Sequence, residues 1–151
     1  MTQPPKKRVL FVCLGNACRS QMAEGFARAY GPDAMLPASA GLSPATRIPS
    51  DTVRAMREKN IDLRDHFPKS IRHLGKAAEF DLIVNMSGFY LPGTYSARIV
   101  DWEVPDPISM DYAEHCKVRD LIERSVMKLI VELRRDPSPQ LRGHGSGRLE
   151  L

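Results

Sequence analysis

Cysteine is scarce in this chain of 151 residues, which contains only three. Three irregularly spaced cysteines cannot build a disulfide scaffold, so we expect a reducing, cytoplasmic setting. Long apolar runs are also lacking, since no stretch approaches the roughly 18 residues that span a bilayer. The N-terminal segment places charges directly before a short apolar stretch and lacks the cleavage pattern of a secretory signal. These absences predict a cytoplasmic protein that does not act at a membrane.

Two nucleotide-binding motifs are missing as well. The chain has neither GxGxxG nor GxxxxGK[ST], which argues against enzymes that use dinucleotides or nucleoside triphosphates. The four histidines are scattered and the cysteines lack the paired spacing of zinc sites, so we expect no metal and no cofactor. A net charge of +4 is mild and fits an anionic ligand. The short basic run at residues 6–8 is typical of a solvated edge, and we expect no nucleic-acid partner.

Size and composition favour one packed domain. With 42% apolar and 26% charged residues, a chain of 151 residues can bury one core and is short for two. The segment 136–151 is rich in proline, glycine and serine and has no periodicity. We therefore predict a single domain over residues 1–135 and a flexible C-terminal tail over residues 136–151.

Strand and helix patterns alternate along the predicted domain. Strands are predicted at residues 9–12, 34–38, 80–85 and 97–101. Helices are predicted from Ser20 to Gly31, after Pro49, as a short turn over 70–78, and over 111–135. Strands that alternate with helices imply parallel pairing through right-handed crossovers. The predicted fold is therefore α/β, with three layers in the order helix, sheet, helix.

The junction between the first strand and the first helix carries the strongest chemical signal. Ligands of open α/β sheets bind beyond the carboxyl ends of the strands. Here the strand ends at Cys13, the loop contains Gly15 and Asn16, and the helix opens with Arg19 and Ser20. Taken alone, a buried structural cysteine beside a surface arginine is the commoner arrangement. The strand, loop and helix around this pair favour a functional site instead.

Each part of this loop has a use if the ligand is a tetrahedral oxyanion such as phosphate. Successive backbone N–H groups can form a concave nest, and the helix dipole adds positive potential. Gly15 and Asn16 tolerate the left-handed backbone angles of such a nest. The Arg19 guanidinium matches two anion oxygens. Cys13 is placed to act as a thiolate nucleophile, and the Ser20 hydroxyl is placed to donate to it.

A second candidate follows the last predicted strand, where Asp106 stands between two prolines. Pro107 biases the backbone of Asp106 toward extended angles. Taken alone, this pattern is typical of an ordinary turn before a helix. A carboxylic acid at the same sheet edge as the cysteine loop could protonate the leaving oxygen of a phosphate ester. The pairing with the loop favours a general acid.

Together these residues resemble the low-molecular-weight protein tyrosine phosphatases, whose pattern is C-x5-R-S with a late Asp-Pro. The resemblance runs from Lys6 to about Arg134. It implies a four-stranded parallel sheet, with Cys13 as nucleophile, Arg19 as phosphate ligand and Asp106 as proton donor. It also implies substrate-binding roles for the rest of the loop, namely Leu14, Gly15, Asn16, Ala17, Cys18 and Ser20. In many such proteins the second loop cysteine, here Cys18, forms a reversible disulfide with the nucleophile.

Arsenate reductases share this fold, and several stretches resemble them more closely. The stretches are Ser20-Gln21-Met22-Ala23-Glu24-Gly25, Ser39-Ala40-Gly41, Ile61-Asp62-Leu63 and Asp101-Trp102. Thioredoxin-linked members relay oxidation through two cysteines after the third strand, but here the next cysteine is Cys116. That relay is therefore excluded as normally built, whereas members that use a small external thiol need only the loop cysteine. Many phosphatases have aromatic residues after Asp-Pro, where this chain has Ile108-Ser109.

Two activities follow from the resemblance. The leading expectation is a cysteine-dependent, metal-free phosphomonoesterase that hydrolyses phosphotyrosine-type esters, in proteins or as small aryl phosphates, through a phosphocysteine intermediate. The alternative is an arsenate reductase that uses an external small thiol or a thioredoxin-type reductant. A phospho-residue binding module without turnover is a third possibility, which the presence of Cys13, Arg19 and Asp106 opposes.

Two further sets of side chains have open interpretations. Four aromatic residues near the predicted site could form walls for an aromatic substrate or could pack in the core: Phe89, Tyr90, Tyr95 and Trp102. His66 or His73 could orient the loop, although a surface or packing role is more typical of such histidines.

Overall fold

The computed structural model describes residues 6–74 and 79–135. Its strands are β1 (Lys7–Cys13), β2 (Met35–Gly41), β3 (Leu82–Asn85) and β4 (Arg98–Asp101). Its α-helices are α1 (Arg19–Tyr30), α2 (Ser50–Arg57) and α3 (Tyr112–Arg135), with short 3₁₀ turns at Ile71–Leu74 and Pro107–Ser109. The predicted tail and the end of the predicted turn, residues 75–78, lie outside the described residues.

The four strands form one parallel sheet in the order β2-β1-β3-β4. This confirms the predicted α/β class. β1 is central and almost continuously apolar, as expected for a strand that is covered on both faces. Pro37 lies in the edge strand β2, where a missing N–H is tolerated. Because all four strands are parallel, their carboxyl ends lie together at one edge of the sheet.

Side chains of β1 alternate between two cores. Val9 and Phe11 face the larger core, where they pack with residues of α1 and α3 such as Phe26 and Ile122. Leu10 faces a smaller cluster on the opposite side, which in the described part of the chain is covered by the 3₁₀ turn Ile71–Leu74 and nearby loops. The larger core therefore anchors α1, and with it the loop that leads from β1 into that helix.

The boundaries of α1 follow from its sequence. Met22 and Phe26 recur one turn apart, and both are fully buried. The helix begins at Arg19, with which the predicted helix opens, and Gly31 ends it by donating its N–H to the carbonyl of Ala27. Within residues 6–74 and 79–135, no helix is long and apolar enough to cross a membrane.

Candidate active site

The loop between β1 and α1 is held in place through its carbonyl oxygens. Three successive carbonyls accept hydrogen bonds of 2.8–3.2 Å from N–H groups of the segment 42–45, namely those of Cys13, Leu14 and Gly15. In a planar trans peptide, the following N–H points away from the carbonyl. The N–H groups of residues 14–16 therefore face the other side of the loop. The predicted concave nest of donors requires such a common direction, and the nest itself stays a prediction.

Gly41 allows this loop to pass close to β2. A Cβ atom at Gly41 would lie 2.8 Å from both the Asn16 nitrogen and the Leu14 oxygen. Asn16 adopts the predicted left-handed backbone, with φ of 49°. Gly15 does not, so the expectation of left-handed angles at both positions is wrong for Gly15. One asparagine is enough to bend this loop because its backbone and its side chain are both held by neighbours.

The Cys13 sulfur lies 3.0 Å from the Ser20 hydroxyl oxygen. The Asn16 amide nitrogen donates to that same oxygen over 2.7 Å. Because the hydroxyl already accepts from Asn16, its own proton is free to point at the sulfur. The cysteine is almost fully buried, with 2% of its surface exposed. The hydroxyl is thus placed to donate to the buried sulfur, which is the contact that the predicted role of Ser20 needs.

Asn16 is itself oriented by residues that the sequence analysis did not single out. Its side-chain oxygen accepts hydrogen bonds from Gln21 Nε2 at 3.1 Å and from the backbone N–H of Lys69 at 2.9 Å. The side-chain oxygen of Gln21 accepts a hydrogen bond from His66 Nδ1, 3.1 Å away. His66 therefore supports the loop through Gln21, which is the less expected of its two interpretations. Gln21 is fully buried although polar, and only its place in the arsenate reductase-like stretch gave a sequence signal.

Arg19 connects three loops at the sheet edge. Its Nη1 donates to the carbonyl of Met86, after β3, and to that of Val104, after β4, the latter at 3.1 Å. Its Nη2 lies 3.4 Å from a carboxylate oxygen of Asp106. The two carbonyls fix the guanidinium plane and leave the Nε–Nη2 edge as the side that can meet an oxyanion. Asp106 is held by the backbone N–H of Ile108 and keeps 39% of its side chain exposed.

Cys18 is buried behind the loop. Thr52 donates a hydrogen bond to its sulfur over 3.3 Å. Burial raises the pKa of the Cys18 thiol to about 11, and the charges of Asp106 and Cys13 act in the same direction. Arg19 acts in the opposite direction, so the charges of all three predicted catalytic residues influence Cys18. Cys13 and Cys18 are both free thiols here.

A cleft of about 310 Å³ opens beside this cluster, lined by Arg19, Asn85, Met86, Gly88, Asp101, Trp102, Glu103 and Val104. Trp102 is only 4% exposed and packs against Phe11, with ring centroids 6.1 Å apart. Tyr95 packs on the smaller core. Phe89 and Tyr90 are the aromatic residues of the predicted set that are exposed. Tyr95 and Trp102 therefore pack in the cores, as the alternative interpretation expects, and Trp102 also lines the cleft.

A parallel α/β sheet that places a buried cysteine and an arginine at the carboxyl ends of its strands has the arrangement in which open α/β folds bind their ligands. The family profile described as "Low molecular weight phosphotyrosine protein phosphatase" matches residues 8–92. The chain is therefore a member of this family.

Several relatives with this fold are named arsenate reductases. The chain is 30% identical over 131 residues to the glutaredoxin arsenate reductase of Synechocystis sp., an alignment that covers 84% of this chain and 98% of the relative. It is 36% identical over 129 residues to the arsenate reductase of Brevibacillus brevis, covering 82% and 93%. A solved arsenate reductase in its phosphate binding state superposes with a TM-score of 0.75 at 31% identity, covering 84% and 98%.

Proposed function

We propose that this protein reduces arsenate to arsenite with electrons from thiols. The observation that carries the proposal is the match of nearly the whole chain to relatives named arsenate reductases. This reverses the order of the two activities expected from sequence, where phosphotyrosine hydrolysis came first. Arsenate and phosphate are both tetrahedral oxyanions, so the same nest would bind either. A function that consumes thiols fits the reducing cytoplasm, where we place the protein.

The first step is attack on arsenic by the Cys13 thiolate. The N–H groups of the loop and the Nε–Nη2 edge of Arg19 hold the arsenate oxygens. Ser20 stabilises the thiolate before attack, through the hydrogen bond at 3.0 Å. Asp106 lies beside Arg19 and gives its proton to the departing hydroxide, which leaves as water. The product is a sulfur–arsenic(V) ester on Cys13.

The second step transfers two electrons to arsenic. A second thiolate attacks the Cys13 sulfur, the sulfur–arsenic bond breaks, and its electron pair stays on arsenic as arsenite departs. External thiols then reduce the resulting disulfide. The segment after β3 supplies no cysteine. It forms a turn in which Asn85 accepts from the backbone and hydroxyl of Ser87 at 3.0 and 2.6 Å and donates to the Phe89 carbonyl at 2.8 Å.

The test is a side-by-side assay of thiol-dependent arsenite release and aryl phosphate hydrolysis. Arsenate would be offered with a thioredoxin system and, separately, with glutathione and glutaredoxin. We expect arsenite release with at least one of these reductants, and none from a Cys13→Ser variant that still binds phosphate. Absence of arsenite with every reductant, from a folded protein that binds arsenate, would overturn the proposal.

Phosphomonoester hydrolysis is the second candidate, and the position of Asp106 favours it. A carboxyl group next to the anion-binding arginine is placed to protonate an ester oxygen. If the protein hydrolyses aryl phosphates, Asp106→Asn should lower kcat by about 10²–10⁴-fold. The matched control is Asp33→Asn, at an exposed aspartate that pairs with Arg134, with kcat for p-nitrophenyl phosphate as the measurement. An equal loss in both variants would show that Asp106 has no special role.

A further inference from the structure

A buried chain of hydrogen bonds leads away from the cysteine loop. The Cys18 sulfur is 3.3 Å from Thr52 Oγ1, and that same oxygen is 2.9 Å from His115 Nε2. The three residues come from the N-terminus of α1, from α2 and from α3. Their exposed fractions are 3%, 0% and 2%. Two titratable groups are thus joined through one hydroxyl, shielded from solvent, directly behind the candidate active site.

The opposite side of the His115 ring determines which nitrogen is basic. A backbone hydrogen bond joins the ring to Pro107. Proline has no N–H, so its carbonyl accepts and the ring donates. Because Nε2 faces Thr52, the donor is Nδ1, and the neutral ring presents the lone pair of Nε2 to the hydroxyl. In the structure the Thr52 hydroxyl donates its single proton to the Cys18 sulfur. Rotation of that proton toward the lone pair of His115 Nε2, 2.9 Å away, leaves the Thr52 oxygen free to accept from the thiol of Cys18.

Charged groups around His115 shift its pKa in the direction opposite to the effect of burial. Burial lowers the pKa of His115, while the carboxylates of Asp51, on α2, and Asp106, before the second 3₁₀ turn, act to raise it. The ring is therefore neutral at rest, and two carboxylates lie near enough to stabilise an imidazolium once it forms. Cys18 by itself would keep its proton, because its pKa is about 11.

From this geometry we propose that Cys18 is the internal thiol that releases arsenic from Cys13, and that His115 removes the proton of Cys18 through Thr52. The proposal rests on the proposed arsenate reduction and deepens it. Cys18 is the reacting residue, whereas Thr52 and His115 are positioning residues that act through it. A disulfide between Cys13 and Cys18 is what the family resemblance implies; the relay that ionises Cys18 and its part in arsenate reduction are new.

The step balances as follows. The Cys18 proton passes to Thr52 Oγ1 as the Thr52 proton passes to His115 Nε2. The Cys18 thiolate attacks the Cys13 sulfur and forms the disulfide, and the sulfur–arsenic bond breaks with its electron pair on arsenic. Each sulfur loses one electron, and arsenic(V) gains two to become arsenic(III). The arsenite takes a proton from water, His115 later returns its own to solvent, and external thiols reduce the disulfide.

A single-turnover experiment tests the internal thiol. Fully reduced protein, freed of added thiols, would be mixed with excess arsenate, and arsenite would be measured by arsenic speciation. We expect about one arsenite per chain, together with a Cys13–Cys18 disulfide in peptide mass mapping. Cys18→Ser should abolish this turnover. Cys116→Ser is the matched control, since Cys116 lies on α3 outside the cluster, and it should change nothing.

The relay has its own variants. Thr52→Val keeps the shape and removes the hydroxyl, and we expect single turnover to slow by about 10–100-fold at neutral pH. Thr52→Ser should restore most of the rate. His115→Gln should slow it similarly and move the rise of rate to higher pH, toward the range in which the buried thiol ionises unaided. Thermal unfolding of each variant checks that the fold is intact.

The outcomes separate this inference from the proposed function. Arsenite release under multiple turnover with external thiols, without any single turnover in their absence, would overturn the internal thiol and leave arsenate reduction standing. No arsenite in either format would end both proposals. Single turnover that depends on Cys18 but is unchanged in Thr52→Val and His115→Gln, in rate and in pH profile, would overturn the relay.

Discussion

At the scale of single residues, the site depends on side chains that each form hydrogen bonds with two neighbours. The Ser20 hydroxyl accepts from Asn16 and donates to the Cys13 sulfur. The Asn16 amide in turn is oriented by Gln21. Because each group is buried and its hydrogen bonds fix its direction, the loss of one partner leaves the other misoriented as well as unpaired.

Ser20→Ala removes the donor to Cys13, so the sulfur loses a hydrogen bond and the Asn16 amide loses its acceptor. We expect kcat to fall by about 10²–10³-fold, the effect of losing one hydrogen-bond donor to a developing charge. The rate of alkylation of Cys13 by iodoacetamide at neutral pH should fall with it. Ser96→Ala, at an exposed serine before β4, is the control and should leave both unchanged. An unaltered alkylation rate in Ser20→Ala would contradict the assigned hydrogen bond.

Gly41→Ala tests the close approach of β2 to the loop. The new Cβ would meet backbone atoms of Asn16 and Leu14 at 2.8 Å, and backbone cannot move aside as a side chain can. We expect a loss of about 1–3 kcal/mol in the free energy of unfolding and weaker binding of phosphate. Gly25→Ala is the control, because its Cβ would meet only side-chain ends, at 3.1 Å or more. Equal phosphate affinity in both variants would contradict this account.

At the scale of elements, the sequence predicts what is local. The end of β1, the loop and the start of α1 are contiguous, so spacing alone identifies Cys13, Arg19 and Ser20. Some of the groups that orient them come from distant segments, such as the carbonyls of Met86 and Val104 that accept from Arg19, and nothing in their own surroundings marks them. Thr52 and His115 are 63 positions apart and share a hydrogen bond only because α2 and α3 pack together. Periodicity predicts that α3 is a helix but not which residue on it meets α2.

The packing of α3 on the sheet gives a prediction at this scale. Val126 is fully buried in the larger core, whereas Val131 on the same helix is 42% exposed. Val126→Ala should lower the free energy of unfolding by about 1–3 kcal/mol, since it leaves a cavity that the core cannot fill. Val131→Ala, the identical change, should alter it by less than about 0.5 kcal/mol. Urea denaturation of both variants measures the difference, and equal losses would contradict the assigned face of α3.

At the scale of the whole molecule, burial of His115 couples stability to pH. Because burial lowers the pKa of His115 below its ordinary value of 6.5, the unfolded chain binds a proton more readily than the folded chain. This contribution to stability is complete above pH 6.5 and is lost as pH falls toward the folded pKa. Acid therefore weakens the protein through the same residue that we assign to the relay.

His115→Gln should make stability less dependent on pH. Between pH of about 7.5 and about 5, the free energy of unfolding should fall less in the variant than in the natural protein, because the variant lacks the group whose protonation is linked to unfolding. Urea midpoints across this range provide the measurement. His73→Gln, at an exposed histidine, should follow the natural protein. If the free energy of unfolding fell equally with pH in the natural protein and in His115→Gln, protonation of His115 would not be the cause of the pH dependence.

The hydrogen bonds of Arg19 to the carbonyls after β3 and β4 have a practical consequence for anyone who mutates it. The guanidinium holds the loops after β3 and β4 together, in addition to its proposed role as a ligand for an anion. Lysine could not fill both roles with one ammonium group. Loss of activity in an Arg19 variant would therefore not show a catalytic role until the structure of the variant had been determined. Probes of turnover are better aimed at Ser20, whose side-chain hydrogen bonds join Cys13 and Asn16 within the same loop.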